Sequence, residues 1–332
     1  MSTGKWLRLS KGYWLMDNGS FRCFAVFGNP VLHSRSPQLY NSLFHHDRID
    51  ACYTRIHATT GKAVSEIIRM TGMAGANITT PFKEAVLPFL DRLSSDAEKI
   101  SAVNTIINRN GELTGYNTDA GGITGSLREA GIDPAGKKCM VMGAGGAGKA
   151  AVTGLLKAGG DVMITNRTPD KAFKFASEAG CWFAAMDEAA SKLKLYDILV
   201  LALPPGIYPF GPEHVHPGLV IVDANYRSSS EDKSLDRLKC RVITGNRWLL
   251  HQAVGAYRSF TGKEAVISLM DRALEETPDP ADIEIKIISE WQNESLTDCK
   301  QTDMFVDGRG LSDMELKEII DEEKNKAFKG KG

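Results

Sequence analysis

The 332-residue chain is short of the features that mark several common protein classes. No run approaches roughly 18 consecutive apolar residues, which argues against a membrane span. There is no excess of cations. Lys plus Arg is 40 against 41 for Asp plus Glu, a net charge of −1, so binding nucleic acid by phosphate neutralisation is disfavoured. No C-x-x-C pair occurs among Cys23, Cys52, Cys139, Cys181, Cys240 and Cys299. The first residues carry Lys5, Arg8 and Lys11 among aromatics but no apolar core before a small-residue cleavage site, so no signal peptide is expected. Scattered cysteines without a secretion signal imply reduced thiols in a cytoplasmic protein. Neither H-x-x-x-H nor H-E-x-x-H occurs, and the neighbours His45 and His46 would point different ways on a helix. No metal site is expected. What is there is ordinary globular composition, 42% hydrophobic and 24% charged, with length for two domains.

Patterning divides the chain. Residues 1–20 read as a short hairpin or an irregular arm with a turn at Asp17-Asn18-Gly19. Cys23 to Phe27 is a short apolar run ended by Gly28-Asn29-Pro30, a buried strand and its turn. Ser36-Pro37 reads as an N-cap followed by Pro, and Leu39, Tyr40, Leu43 and Phe44 then repeat at helical spacing. Strand text at 52–56, 75–79 and 103–107 alternates with helical text around Val64 to Ile68 and Val86 to Leu87, and Asn110-Gly111 is a turn. Alternation of this kind over about 100 residues means an α/β domain. Gly115 to Gly125, rich in Gly and Thr, looks like a crossing between domains. A second alternating unit follows, with strands at 138–142, 161–165, 197–201 and 219–223 and helices at 150–156 and 248–260. From Asp279 onward there are 14 acidic and eight basic residues, net −6, leaving +5 on the rest. Ile283, Ile285 and Ile287 suggest one strand there. Ser312-x-x-Glu315 before Leu316 and Ile319 suggests one amphipathic helix.

The segment Gly143-Ala144-Gly145-Gly146-Ala147-Gly148 matches G-x-G-x-x-G. The pattern alone is weak, but here it follows an apolar strand and opens an alanine-rich helix, the context a dinucleotide needs. Glycines let the backbone turn tightly and let a pyrophosphate approach the helix N-terminus, where free N–H groups favour an anion. An NAD site places Asp or Glu at the end of the next strand for the ribose 2′-hydroxyl. This chain has Asn166-Arg167-Thr168 there, with Lys171 a turn later. A guanidinium in place of an acid can pair with a 2′-phosphate, which favours NADP.

In the first half, Asn77 and Thr79 end an apolar strand, and Lys83 follows Pro81 near a helix start, where the helix dipole gives a cation no advantage. Asn104 lies inside apolar strand text, and Asp119 follows Asn117-Thr118. Both could be buried hydrogen-bonding residues of the core. His33-Ser34-Arg35-Ser36-Pro37 puts two hydroxyls at a helix start, which would suit a carboxylate ligand or simple capping.

Together these segments resemble the shikimate dehydrogenase family. The matching blocks are Phe27 to Pro30 with Ser34 to Pro37, Asn77 to Lys83, Ala102 to Thr105, Asn117 to Asp119, Gly143 to Gly148 with Asn166 to Thr168, and Gly245 to Gln252. They run in the family's order over about residues 21–275. The resemblance implies a two-domain α/β enzyme, an N-terminal substrate domain plus a Rossmann NADP-binding domain with a cleft between them, and a short C-terminal extension. The expected division is an arm at 1–20, a catalytic domain at 21–120 completed by helices within 253–277, a Rossmann domain at 121–252 and an acidic extension at 278–332.

It further implies reversible reduction of 3-dehydroshikimate to shikimate with NADP, by a monomer or a homodimer. Quinate or aminoshikimate dehydrogenation, or NADP(H) sensing without catalysis, are the alternatives. Carried over by position, Lys83 and Asp119 resemble the catalytic pair. Ser34 and Ser36 resemble carboxylate binders, and Asn77, Thr79, Asn104, Tyr226 and Gln252 ligands of the ring and its hydroxyls. Gly143, Ala144, Gly145, Gly146, Ala147, Gly148, Asn166, Arg167, Thr168, Lys171, Gly245 and Trp248 would face the cofactor. Departures from the family pattern are Leu201 to Gly206 in place of an Asn-Ala-Thr-like run, Arg227-Ser228 after Tyr226, and Trp248 where Met is usual.

Overall fold

The computed structural model describes residues 5–8, 14–17, 21–225, 235–276 and 304–305. In chain order the elements are β1 (Lys5–Arg8), β2 (Trp14–Asp17), β3 (Arg22–Gly28), α1 (Ser36–His46), β4 (Ala51–His57), α2 (Gly61–Thr71), β5 (Gly75–Ile78), α3 (Phe82–Ala85), β6 (Arg92–Leu93), α4 (Ser95–Ile100), β7 (Thr105–Arg109) and β8 (Glu112–Tyr116). They continue with α5 (Asp119–Glu129), β9 (Lys138–Met142), α6 (Gly146–Lys157), β10 (Asp161–Thr165), α7 (Pro169–Ala179), β11 (Trp182–Phe183), α8 (Met186–Ser191), β12 (Ile198–Leu201), β13 (Val220–Asp223), β14 (Arg241–Ile243), α9 (Gly245–Thr261), α10 (Ile267–Glu276) and β15 (Met304–Phe305). The chain divides into two compact units. One comprises residues 1–26, 30–57 and 268–332, and the other residues 27–29 and 58–267.

In the first unit, β1 and β2 pair antiparallel, so the arm is a hairpin with Trp6 opposite Met16. Helix α1 buries Leu39, Tyr40, Leu43 and Phe44, the stripe read from the sequence. Burial of that stripe on β4 holds the helix. Tyr40 stacks on Tyr53 with ring centroids 4.3 Å apart, and Asn41 brackets the Tyr53 backbone by accepting from its N–H at 2.8 Å and donating to its carbonyl at 3.0 Å. The expected N-cap is off by one position. Arg35 is the cap residue and Ser36 is already helical, because the Arg35 carbonyl accepts the first helical bond, from the Leu39 N–H at 3.4 Å. β15 pairs antiparallel with β4, Phe305 opposite Arg55. The strand at 283–287 and the helix at 312–320 lie outside the described residues.

In the second unit, one sheet runs β11-β10-β9-β12-β13-β14, parallel throughout. The first strand in sequence, β9, lies centrally, with β10 on one side and β12 on the other, so the strand order reverses there. Ligands of doubly wound sheets dock beyond the C-terminal ends of the strands at that point. The strands are near-continuous apolar runs because helices cover both faces. Val141, Val200, Ile164, Leu155 and Phe175 lie in one core layer, and Met140, Leu199, Ile221 and Leu193 in the other. The edge strands β11 and β14 are two and three residues long and carry too little pattern to be read beforehand.

The same unit holds the ladder β5-β7-β8-β6, with β5 and β8 antiparallel to β7 and β6 parallel to β8. The β7–β8 hairpin turns on Asn110 and Gly111, at φ 55° and 92°. Two positive φ values in a two-residue loop are what Asn-Gly supplies most readily.

Within the expected crossing at Gly115 to Gly125, the part from Asp119 onward is helix α5. Glycines disfavour an isolated helix by about 1 kcal/mol each relative to Ala. Here they are required by packing against α9. A Cβ on Gly122 would lie 2.7 Å from the Trp248 ring, and one on Gly125 2.8 Å from His251. Close approach of two helices, not local propensity, makes this segment helical.

Candidate active site

Six of the expected polar residues converge in the second unit. Strand β5 ends at Ile78, and Thr79 and Thr80 lead through Pro81 into the single turn of α3, which presents Lys83. Helix α5 begins at Asp119, so its carboxylate sits at a helix N-terminus, the end that favours an anion. The Lys83 Nζ donates to Asp119 Oδ2 at 2.5 Å. The two side chains are 20% and 8% exposed, so the pair is largely withdrawn from water.

The other carboxylate oxygen is held as well. Asn104 Nδ2 donates to Asp119 Oδ1 at 2.8 Å, and the same amide reaches Gln252 Oε1 at 3.2 Å and Thr118 Oγ1 at 2.9 Å. The Asn104 side-chain oxygen accepts from the Thr118 N–H at 2.8 Å and the Thr105 hydroxyl at 3.0 Å. Asn77 Nδ2 donates to the Asn104 carbonyl at 3.1 Å and Thr105 Oγ1 at 3.0 Å. Asn77, Asn104 and Gln252 are all buried. A buried polar network with its members satisfied is rigid, and here it fixes the rotation of the Asp119 carboxylate. Thr79 is half-buried, its N–H donating to the Phe27 carbonyl at 2.9 Å.

Sequence reasoning left out Asn117, Thr118 and Thr105 as site residues. Asn117 Oδ1 accepts from the Asp119 N–H at 3.0 Å, and its amide donates to the Ala102 carbonyl at 3.0 Å. Their position beside Asn104 and Asp119 was the available signal.

The glycine loop borders this pair. A Cβ on Gly146 would lie 3.4 Å from Cβ and Cδ of Lys83 and 3.4 Å from Ala102. The Lys83 stem therefore packs on the N-terminal residue of α6. Gly143 has φ +116°, and a Cβ there would lie 2.3 Å from the Ala202 carbonyl oxygen. A Cβ on Gly148 would lie 1.8 Å from the Gly143 carbonyl oxygen, whereas one on Gly145 meets nothing within 4 Å. Two glycines thus close the turn and a third leaves open space at the helix N-terminus, the shape a pyrophosphate requires. Asn166 Oδ1 accepts from the Ala144 N–H at 3.2 Å, and its amide donates to the Thr168 carbonyl at 3.1 Å, so it braces the loop. Arg167 is exposed and lines a depression of about 440 Å³ with Asn166, Pro169, Ala185, Met186, Asp187 and Pro209. Thr168 caps α7 without a side-chain bond, and Lys171 sits in that helix's first turn. These residues fit a dinucleotide with a 2′-phosphate.

Gly245 is buried at the start of α9. Trp248, expected at the nicotinamide edge, is turned inward. It is 4% exposed within the core, and its indole N–H donates to the Asp119 carbonyl at 2.9 Å. A large apolar ring beside Gly122 is better buried than wetted, so Trp248 supports Asp119 from behind. Leu203, from the departing run, accepts at its carbonyl from Asn225 Nδ2 at 3.1 Å. Tyr226 lies outside the described residues.

In the first unit, Ser34 and Ser36 are both buried, and the Ser34 hydroxyl donates to that of Ser36 at 3.2 Å. Arg55 Nε donates to the Ser34 carbonyl at 2.8 Å and fixes the segment. Among the described residues there is no group of three or more His, Cys, Asp or Glu able to hold a metal ion, and no helix long and apolar enough to cross a membrane.

Comparison with known proteins accords with this arrangement. A family model described as the shikimate dehydrogenase substrate binding domain matches residues 26–106. One described as NADP oxidoreductase, coenzyme F420-dependent, matches residues 138–226. The shikimate dehydrogenase (NADP(+)) of Moorella thermoacetica is 37% identical over 272 residues, 76% of this chain and 92% of the relative. That of Carboxydothermus hydrogenoformans is 33% identical over 278 residues, 77% of this chain and 98% of the relative. The crystal structure of shikimate 5-dehydrogenase from Thermus thermophilus in complex with NADP(H) and shikimate superposes with a TM-score of 0.70 at 32% identity, covering 77% of this chain and 99% of that one. Sequence relatedness across nearly the whole of each relative, on a shared fold, leads to one conclusion: the chain belongs to the shikimate dehydrogenase family.

Proposed function

We propose that this protein is an NADP-dependent oxidoreductase that interconverts 3-dehydroshikimate and shikimate. The observation that carries the reading is the Lys83–Asp119 ion pair, withdrawn from water and packed on the first residue of the helix that the glycine loop opens. The matched relatives are NADP(+) shikimate dehydrogenases, and the Thermus thermophilus structure holds both ligands.

The division of labour follows the chain. Residues 21–120, completed by helices within 253–277, take the ring acid, and residues 121–252 take the dinucleotide. NADPH, when bound, supplies the hydride. The loop Gly143 to Gly148 receives the pyrophosphate, with Asn166 bracing it, and Arg167 and Lys171 take the 2′-phosphate. Lys83 donates the proton that the carbonyl oxygen needs as negative charge develops on it, and accepts it back in the oxidation. Asp119 aims the ammonium, and its own orientation is set by Asn104 and Trp248. To the ring and its hydroxyls we assign Asn77, Thr79, Asn104 and Gln252, together with Tyr226 as carried over from the family pattern. Ser34 and Ser36 offer hydroxyls to the carboxylate at the start of α1. We place the reaction in the cytosol, where the thiols of Cys139, Cys181 and Cys240 stay reduced.

The test is initial-rate absorbance at 340 nm with shikimate or quinate and with NADP+ or NAD+. Shikimate with NADP+ should give the highest kcat/KM. Absence of turnover with every combination, or a clear preference for quinate, would overturn the assignment.

A further inference from the structure

Glu84 follows the proposed proton donor and was not among the expected site residues. Its carboxylate lies between two ammonium groups from distant parts of the chain. Lys149 Nζ is 3.2 Å from Glu84 Oε1, and Lys171 Nζ is 3.4 Å from Oε2 and 3.5 Å from Oε1. Lys149 stands in the first turn of α6, its side chain 10% exposed and its ammonium 5.8 Å from the centre of the Phe175 ring. Lys171 stands in the first turn of α7. Both lysines thus sit at the positive ends of helix dipoles, where a cation is disfavoured and an anion welcome. Two cations placed against two dipoles make a strong anion site, and the carboxylate inside it comes from α3.

We propose that Glu84 is a cofactor-selectivity residue: its carboxylate holds Lys171 and competes for that ammonium with the 2′-phosphate of the dinucleotide. The inference rests on the assignment of Lys171 to the 2′-phosphate made above. The exchange moves no covalent bond. One ion pair, Lys171 with Glu84, is replaced by another, Lys171 with phosphate, while Lys149 keeps Glu84 in place beside Lys83. Part of the intrinsic preference for the phosphorylated cofactor is therefore spent on breaking the internal pair.

Glu84→Gln keeps the size of the side chain and removes its charge. Dissociation constants for NADP+, NAD+ and the fragment 2′,5′-ADP are measured by titration calorimetry on the unaltered protein, E84Q, K171M and the double variant. Lys149 is released by E84Q for either dinucleotide, so the informative quantity is the ratio of the NADP+ and NAD+ constants. On the scale of an exposed ion pair, E84Q should raise that ratio in favour of NADP+ by roughly two- to fivefold and tighten 2′,5′-ADP similarly. The gain should shrink with added salt and vanish in the K171M background. A ratio that E84Q leaves unchanged or lowers, or a gain that persists without Lys171, would overturn the inference while the NADP assignment stands. Equal affinity of the unaltered protein for NADP+ and NAD+ would remove the NADP assignment and this inference together.

Discussion

Lys83→Met isolates the ammonium from everything else Lys83 does. Methionine retains the unbranched stem that packs at 3.4 Å on the position a Gly146 Cβ would take, so the start of α6 keeps its neighbour. What is lost is the donor 2.5 Å from Asp119 Oδ2. If that donor protonates the developing alkoxide, its removal should lower kcat by about 10²- to 10⁴-fold, the usual yield of general acid catalysis. That is about 3–5 kcal/mol of barrier. Affinity for NADP+, read by calorimetry, should stay within about twofold, because no residue of the Gly143–Gly148 loop is altered.

Removing one member of a withdrawn pair also leaves the other charged and alone, which is costly where burial is complete. Here the cost is moderated, since Lys83 is one-fifth exposed and Asn104 still donates to Asp119 Oδ1. Asp119→Asn removes the aim rather than the donor and should lower kcat less than K83M does. The double variant separates catalysis from stability. If the two residues act as one unit, K83M combined with D119N should be about as slow as K83M alone, not slower by the product of the single effects. A K83M protein that binds NADP+ normally and turns over within tenfold of the unaltered enzyme would remove Lys83 from the chemistry. Multiplicative losses in the double variant would show that the pair does not work as a unit.

Two further variants test the packing and the charge pairs. Gly122→Ala puts a Cβ 2.7 Å from the Trp248 ring and 3.0 Å from the Gln252 backbone nitrogen, and should lower stability by about 1–2 kcal/mol, the overpacking cost less the helix propensity gained. The exposed neighbour Gly121, whose Cβ would meet nothing within 4 Å, should instead tolerate Ala with a gain of up to about 1 kcal/mol; denaturant melts in which the two variants shift alike would refute the account of α5. The Arg247 guanidinium, which donates two bonds to Glu129, holds that carboxyl below its usual value, and His251 adds to the effect. Between the folded and unfolded values the unfolded chain binds the extra proton, so this contribution is whole above 4.5 and is lost as pH falls through the folded value. Glu129→Gln should therefore lower Tm slightly at neutral pH, and the gap should close in acid; a gap that widens there reverses the sign and refutes the pairing.

How much of this was legible beforehand depended on where the determining interactions lie. β9 and β10 were readable to the residue because a parallel strand covered on both faces must be apolar along its length. The glycine loop was readable because its spacing answers demands of turn and ligand approach that recur wherever a parallel strand feeds a phosphate-binding helix. Helix α5 was not, since its glycines are explained only by Trp248, Gln252 and His251 on a helix more than a hundred residues later. Residue types alone left Asn104 and Asp119 open as ordinary core hydrogen-bonders, and the order of the motifs assigned their roles. The structure narrows the gap between those readings. Asn104 is a core hydrogen-bonder, and its partner in that capacity is the carboxylate that holds Lys83. Trp248 and Glu84 make the same point from opposite sides. A tryptophan in a cofactor motif turns into the core because its apolar ring is too large to leave wet. A glutamate to which the sequence assigned no role is drawn between Lys149 and Lys171 because two helix starts converge on it. Side chains whose position is set by elements distant in sequence are those that a linear reading cannot place, and in this protein they surround the Lys83–Asp119 pair rather than compose it.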